Sequence, residues 1–303
     1  MAKTSIYDYS TAAASNTDIG GIGILGSNAV LNFDNAFREI MAQIATDISP
    51  RRLSIQGAIY GLTLSNNVGD AVNDIDIAVG MATTDSVTDP RTMVLATAIT
   101  KRLDAAWSVG TNQGGWLDGA SMPNGTGHAF MMQRSDTGVT DIGFSASTSP
   151  TLPANYDRKR RIGSIPREGG ALITIKQDGP LFRRATKVDR SSTSAAASAL
   201  LALSVPTGIN VYPLLNYDIA TGTASTDAQL LIGGAWEGSA TNTIDRVFTT
   251  SLANTASVTH GGIGPIFQTN TSAQIYFATT IASGSLSTNV LSTVGWIDNR
   301  GTV

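Results

Sequence analysis

Asp74-Ile75-Asp76-Ile77-Ala78-Val79 carries the period that decides the fold. Apolar residues recur there at every second position, which puts one set of side chains on a buried face and the other toward water. Ile59-Tyr60-Gly61-Leu62-Thr63-Leu64 gives the same partial alternation. Outward from these two stretches, short apolar runs follow one another: Ile55 to Leu64, Ile75 to Ala82, Met93 to Thr100, His128 to Gln133, Thr140 to Ser145 and Ala171 to Gln177. Asn66-Asn67, Asp89-Pro90, Gly114-Gly115 and Asn124-Gly125 punctuate them. Arg134-Ser135-Asp136-Thr137-Gly138-Val139 reads as a hairpin turn, with glycine available for positive φ. Lys101 to Trp107 reads as one helical turn.

The rhythm resumes beyond Asp189 to Ala197, where Arg-Ser-Ser-Thr-Ser-Ala-Ala-Ala interrupts it. Runs at Ala199 to Ser204, Ile209 to Ile219, Ala228 to Ile232, Arg246 to Thr250, Gln274 to Thr280 and Ser292 to Ile297 follow. Strands separated by turns without helices between them predict a mainly β chain, with two antiparallel sandwich or jelly-roll-like domains at 51–189 and 190–303. No fixed-period repeat is present, which disfavours a β-helix.

Residues 1–50 differ in kind. A polar, small-residue segment from Tyr7 to Gly26 leads into an amphipathic helix predicted over Asn32 to Ile48. Phe33, Phe37, Ile40, Ile44 and Ile48 recur at spacings of three and four, which places them on one stripe. Asn32 serves as a cap and Asp34 complements the helix dipole. Ser49-Pro50 is read as the stop, because proline cannot donate to the ladder and biases its predecessor out of the α region. One short helix cannot bury such a stripe against itself. It must dock on the rest of the chain, on copies of itself or on another protein, which makes residues 1–50 an anchor segment.

Only 14% of the 303 residues are charged, against about 25% in ordinary soluble domains. A surface rich in Ser, Thr, Asn, Gly and Ala suits subunits that bury much of their exterior in an assembly. The net charge of −3 argues against nucleic acid and anionic membranes as partners. No apolar run reaches the roughly 18 residues of a membrane span, and no signal-peptide core follows Met1. With no cysteine, disulfides, thiolate metal sites and a cysteine nucleophile are all excluded.

Chemistry finds little purchase. His128 opens a predicted strand and His260 falls in a predicted turn, without the close spacing of metal ligands. No Gly-x-Ser-x-Gly elbow is present. A glycosidase pair would have to combine Glu237 of Trp236-Glu237-Gly238 with Asp218, Asp227 or Asp245, since the other glutamates are Glu39, in the helix, and Glu168. The bland reading of Glu237 is a turn carboxylate. Gly20 to Gly26 lacks the Lys-Ser/Thr of a phosphate loop and reads as tightly apposed or flexible backbone. In the basic run Arg158-Lys159-Arg160-Arg161, strand geometry sends Arg158 and Arg160 one way and Lys159 and Arg161 the other. That favours salt bridges to Asp across subunits or domains over polyanion binding. Of Trp107, Trp116, Trp236 and Trp296, each reads first as core; Trp116, in a glycine-rich loop, is the best candidate for an exposed sugar-binding surface. No catalytic, metal or cofactor site is predicted.

Tyr7-Asp8-Tyr9-Ser10-Thr11-Ala12-Ala13-Ala14-Ser15-Asn16, followed by Asn32-Phe33-Asp34-Asn35-Ala36-Phe37-Arg38-Glu39-Ile40-Met41-Ala42-Gln43-Ile44, resembles the amino-terminal segment of tailed-bacteriophage tail-fibre and collar-type proteins. The Ile-Asn-Trp and Glu-Gly lead usual in that group is replaced here by Gly-rich Ile19 to Gly26. Trp107-Ser108-Val109-Gly110, Gly114-Gly115, Arg134 to Gly138, Phe144-Ser145-Ala146-Ser147, Pro150-Thr151-Leu152-Pro153 and Tyr156 to Ile165, in that order, are similar to a module of phage tail appendages. Gly295 to Gly301 is reminiscent of the same group. The resemblance implies a non-enzymatic virion component, a tail or collar fibre subunit anchored by its amino terminus and often trimeric. Phe33, Phe37, Ile40 and Ile44 would make the trimer or anchor contacts, Arg158, Arg160 and Arg161 the inter-subunit ones. Partners would be tail, collar or portal-neck proteins and host surface polysaccharide. The rival readings are a receptor-binding or polysaccharide-depolymerising tip and a head-decorating fibre. In each case the protein would be made in the bacterial host cytoplasm and reside in the virion.

Overall fold

The structure is a computed structural model that describes residues 8–10, 15–25, 32–54, 56–87, 90–222, 226–235, 248–252, 258–263 and 267–300. Two units group by contact: Met1–Ala58 with Thr83–Thr92, and Ile59–Ala82 with Met93–Val303.

In the first unit, β1 (Asp18–Ile19) and β2 (Ile22–Gly23) form a two-residue hairpin, followed by α1 (Asn32–Ser54). Gly20 and Gly21 occupy the turn at φ 58° and 83°, the left-handed conformation this tight connection demands. Against expectation, α1 continues through Pro50 to Ser54. Proline removes only its own N–H from the ladder, so one bond to the Thr46 carbonyl is lost while the turns on either side persist. No helix among the described residues is long and apolar enough to cross a membrane.

The strands that follow are β3 (Ile59–Gly61), β4 (Leu64–Asn66), β5 (Asp74–Ile77), β6 (Gly80–Thr83), β7 (Thr92–Leu95), β8 (Ile99–Ala106), β9 (Gln113–Trp116), β10 (Gly125–Gln133) and β11 (Thr140–Ser145). Next come β12 (Arg158–Glu168), β13 (Ala171–Leu172), β14 (Ile175–Asp178), β15 (Leu181–Ser192), β16 (Ala196–Ala202) and β17 (Tyr212–Thr221). The last are β18 (Thr226–Gly233), β19 (Phe248–Leu252), β20 (Val258–Ile263), β21 (Gln274–Ser283) and β22 (Leu286–Ile297). The chain is mainly β, as the alternation predicts.

One long sheet runs β13-β12-β10-β11-β9-β8-β5-β4-β14-β15-β22-β17-β20; a second runs β16-β21-β18-β19, and a third β3-β6-β7. Leu215 and Ile219 of β17 and Leu291 of β22 pack in one cluster with Leu230 and Ile232 of β18 and Ile275 and Phe277 of β21. That shared core makes a sandwich of the long and the four-stranded sheets. In β5 the two isoleucines are buried and the two aspartates half-buried, the alternation from which the fold was read. The Arg134–Val139 hairpin closes as expected, with Gly138 at φ 75° and Arg134 N–H donating to the Val139 carbonyl at 3.0 Å.

Three expectations about local structure change. Lys101 to Trp107 is not a helical turn: residues through Ala106 belong to β8, whose Ile99, Lys101 and Leu103 are buried in alternation. His260 lies within β20, opposite Asp218, rather than in a turn. The pairings are not all antiparallel, since β9 runs parallel to both β8 and β11. The expected domain boundary, 189/190, falls inside β15, and β15 pairs with both β14 and β22.

Candidate functional site

The face of α1 that packs within its own unit is a narrow, mostly polar one. Ala36 and Gln43, seven positions apart on one line of the helix, are each 4% exposed. Tyr9 Oη donates to Gln43 Oε1 at 2.6 Å, and Gln43 Nε2 donates to Glu39 Oε1 at 3.0 Å. The hairpin turn lies against the same side: a Cβ on Gly20 would stand 2.7 Å from Glu39 Cγ. Asn32, at the helix start, donates its side-chain amide to the Gly23 carbonyl at 3.4 Å and ties helix to hairpin. The glycine-rich stretch is thus tightly apposed backbone.

The apolar stripe points elsewhere. At 3.6 residues per turn, Phe33, Phe37, Ile40 and Ile44 centre about a quarter turn away from the Ala36–Gln43 line. Phe33 and Phe37 are each 60% exposed, Met41 65% and Ile44 40%, while Ile40 is half-buried. The rings of Phe33 and Phe37 touch one another, with centroids 6.1 Å apart. An Asp34–Arg38 ion pair at 3.1 Å borders the stripe and is itself exposed. The helix therefore spends its polar side on its own unit and leaves its apolar side open. Ile48 has no described side chain.

The basic run is consumed inside the chain where it can be traced. Arg161 donates through both terminal nitrogens to Asp298, and Arg158 Nη1 donates to Gln133 Oε1 at 3.1 Å. Arg160 is buried. Residues 158–161 pair one-to-one with Gln133 to Phe130, and a bulge in β12 follows directly after Arg161.

Trp116 is 3% exposed, not a surface platform. Its strand, β9, sits between β8 and β11, its backbone pairs with Phe144 and Ala106, and the indole packs in the main buried cluster. Trp107 is the partly exposed indole of this region. It donates Nε1–H to the Ile142 carbonyl at 2.9 Å, meets Tyr156 edge-on, and borders a groove of about 420 Å³ with Leu117, Leu152 and Pro153. Trp296 is core, stacked on Phe182 at 5.4 Å.

His128 is fully buried on β10, an interior strand of the long sheet. Its Nδ1 lies 2.8 Å from Ser164 Oγ, its cross-strand neighbour, while Arg161 Nη1 donates to the same hydroxyl at 3.0 Å. Burial, with the nearby Arg161 charge, lowers its pKa to about 4. Both side chains are excluded from solvent, and the contact lies within the packed sheet. Glu237, Asp245 and Trp236 lie outside the described residues, as do the side chains of Asp227 and His260. Among the described residues no group of three or more His, Asp or Glu could hold a metal ion.

Sequence reasoning missed one site altogether. Lys101 and Asp141 form an ion pair at 2.9 Å with side chains 0% and 1% exposed. Lys101 was hidden by the helical reading of its segment, yet Ile99-x-Lys101-x-Leu103 already sets it at an inward strand position.

No protein-family model matches the chain, and no curated protein matches it. Among solved structures, the chain is similar to a protein of the T13 viral particle of IBDV, at 13% identity and a TM-score of 0.18, covering 78% of this chain and 67% of that one. A mutant VP2 protein of infectious bursal disease virus, from T=1 particles, gives 14% identity and a TM-score of 0.20 over 80% of this chain and 69% of the other. The structure of the Gx strain of the same virus gives 14% and 0.15 over 82% and 75%. Scores of this size fall far below those of a shared topology.

Proposed function

We propose that this protein is a non-enzymatic structural component of a virion, a tail or collar fibre subunit of a tailed phage, anchored by its amino-terminal helical unit and assembled as a homotrimer. The observation that carries this reading is the open apolar stripe of α1. A helix whose polar side is already hydrogen-bonded within its own unit, and whose phenylalanines face outward, is built to meet another chain. Three copies of the stripe would bury Phe33, Phe37, Ile40 and Ile44 around a common axis. The low charge and the predominantly packed interior of the β unit suit a rigid stalk or tip. The resemblance of the helix and its aromatic lead to phage appendage proteins supports a place on the tail or collar.

Truncation tests it. A chain lacking residues 1–54 should fold with an unchanged β unit and fail to enter particles, whereas normal incorporation of the truncated chain would remove the anchor reading.

A further inference from the structure

Lys101 stands on β8 and Asp141 on β11, with β9 between them in the sheet. The lysine can reach its partner because the intervening strand carries glycine: a Cβ on Gly115 would stand 2.9 Å from Lys101 Cβ. Lys101 Nζ lies 2.9 Å from Asp141 Oδ1 and 3.2 Å from Oδ2, and donates to the Ser108 carbonyl at 2.7 Å. Each carboxyl oxygen also accepts a backbone N–H, Oδ1 from Ile142 at 2.7 Å and Oδ2 from Gly110 at 2.9 Å. The surroundings are apolar. Trp107 faces the ammonium at 5.4 Å and meets Tyr156, which belongs to a buried cluster with Phe130 and Met132; Met132 is the cross-strand neighbour of Asp141. Tyr156 Oη is buried and has no hydrogen-bond partner among the described residues.

We propose that Lys101 and Asp141 condense to an intramolecular isopeptide bond, a covalent staple between β8 and β11 in a chain that has no cysteine. Transfer of one proton from the ammonium to the carboxylate gives an amine and a carboxylic acid. Nζ then adds to Cγ, and the backbone N–H groups of Ile142 and Gly110 stabilise the charge that develops on oxygen. The Nζ–Cγ bond forms, one Cγ–O bond breaks, and the departing hydroxyl takes a second proton from nitrogen. One water leaves, and no oxidant, reductant or external nucleophile enters.

Two physical terms drive the step. Nζ within hydrogen-bonding range of both oxygens lies close to the carbon between them, and a small rotation of the carboxyl plane would present that carbon to the amine; well-oriented intramolecular neighbours react at effective concentrations of about 10⁵ to 10⁸ M. Condensation also replaces two charges in an apolar interior by one neutral amide, which removes the desolvation cost of both ions. Burial already lowers the lysine pKa, with Asp141 opposing, and so favours the amine that attacks. Exclusion of water protects the product from hydrolysis.

Intact mass spectrometry of the denatured full-length chain, with amino-terminal processing assigned, decides the matter. The expected mass is one water below that of the sequence. Tryptic mapping should find Lys101 uncleaved and joined to the peptide that carries Asp141. Lys101→Arg keeps a cation opposite Asp141 without a condensable amine and should return to full mass; if that variant does not fold, the wild-type mass and map still decide. A wild-type chain at full mass, or a water loss that maps to any other residues, overturns the proposal. This inference is independent of the virion reading.

Discussion

Arg161 grips Asp298 with both arms of its guanidinium, Nη1 to Oδ2 at 2.5 Å and Nη2 to Oδ1 at 2.8 Å, across 137 positions of sequence. Asp298 is buried and also accepts the backbone N–H of Arg300 at 2.7 Å. Through Arg161 and Ser164 the contact extends to His128, so a polar relay runs from the carboxyl-terminal end of β22 through β12 to β10.

Removing one partner of this pair strands a charge. Asp298→Ala should destabilise the β unit by about 3 to 5 kcal/mol, because Arg161 and Arg300 lose the carboxylate that compensates them. The midpoint of urea unfolding reports it, at unchanged slope. Replacing both partners, as Arg161→Met with Asp298→Leu, should recover much of the loss. Equal damage from the single and double replacements would contradict this account.

Acid should act on the same relay. The pKa of His128 falls from 6.5 to about 4 on folding, so the unfolded chain binds the proton first as pH drops. Its contribution is therefore complete above pH 6.5, declines between 6.5 and 4, and changes no further below that. The full decline is on the order of 3 kcal/mol. Unfolding measured across this window for wild type and His128→Asn should show a shallower pH dependence in the variant. Identical slopes would show that the histidine does not carry the effect.

Glycine in β9 is a steric requirement. In Gly115→Ala the new methyl would meet Lys101 Cβ and Leu103 Cδ2 at 2.9 and 3.1 Å. Overpacking of this kind costs about 1 to 3 kcal/mol. Gly114→Ala should be worse, because the obstruction is the Ala106 carbonyl oxygen of the backbone, which cannot rotate away. Thermal unfolding of the two variants should rank them in that order.

Strands with one face in the core were legible from sequence, and Ile75 and Ile77 show why: period-two alternation survives when one face is dry. β15 was not, because the middle of Leu181–Ser192 is exposed on both faces and has no apolar period to display. β10 gave only an apolar run, since eight consecutive residues are buried where clusters cover both faces. The stripe of α1 was visible by its spacing, whereas the choice of Ala36 and Gln43 as the packed side depends on Tyr9 and Gly20, contacts that no periodicity encodes. Arg161 was singled out as a salt-bridge former; its partner, 137 positions away, could come only from the fold.

The central claim is that the open stripe of α1 is an assembly surface, and sedimentation equilibrium of the full chain at micromolar concentration tests it most directly. The account predicts a trimer for the wild-type chain, and a monomer with an unchanged unfolding midpoint of the β unit for Phe33→Asp with Phe37→Asp. A wild-type chain that sediments as a well-folded monomer, or a doubly substituted chain that remains trimeric, would contradict it.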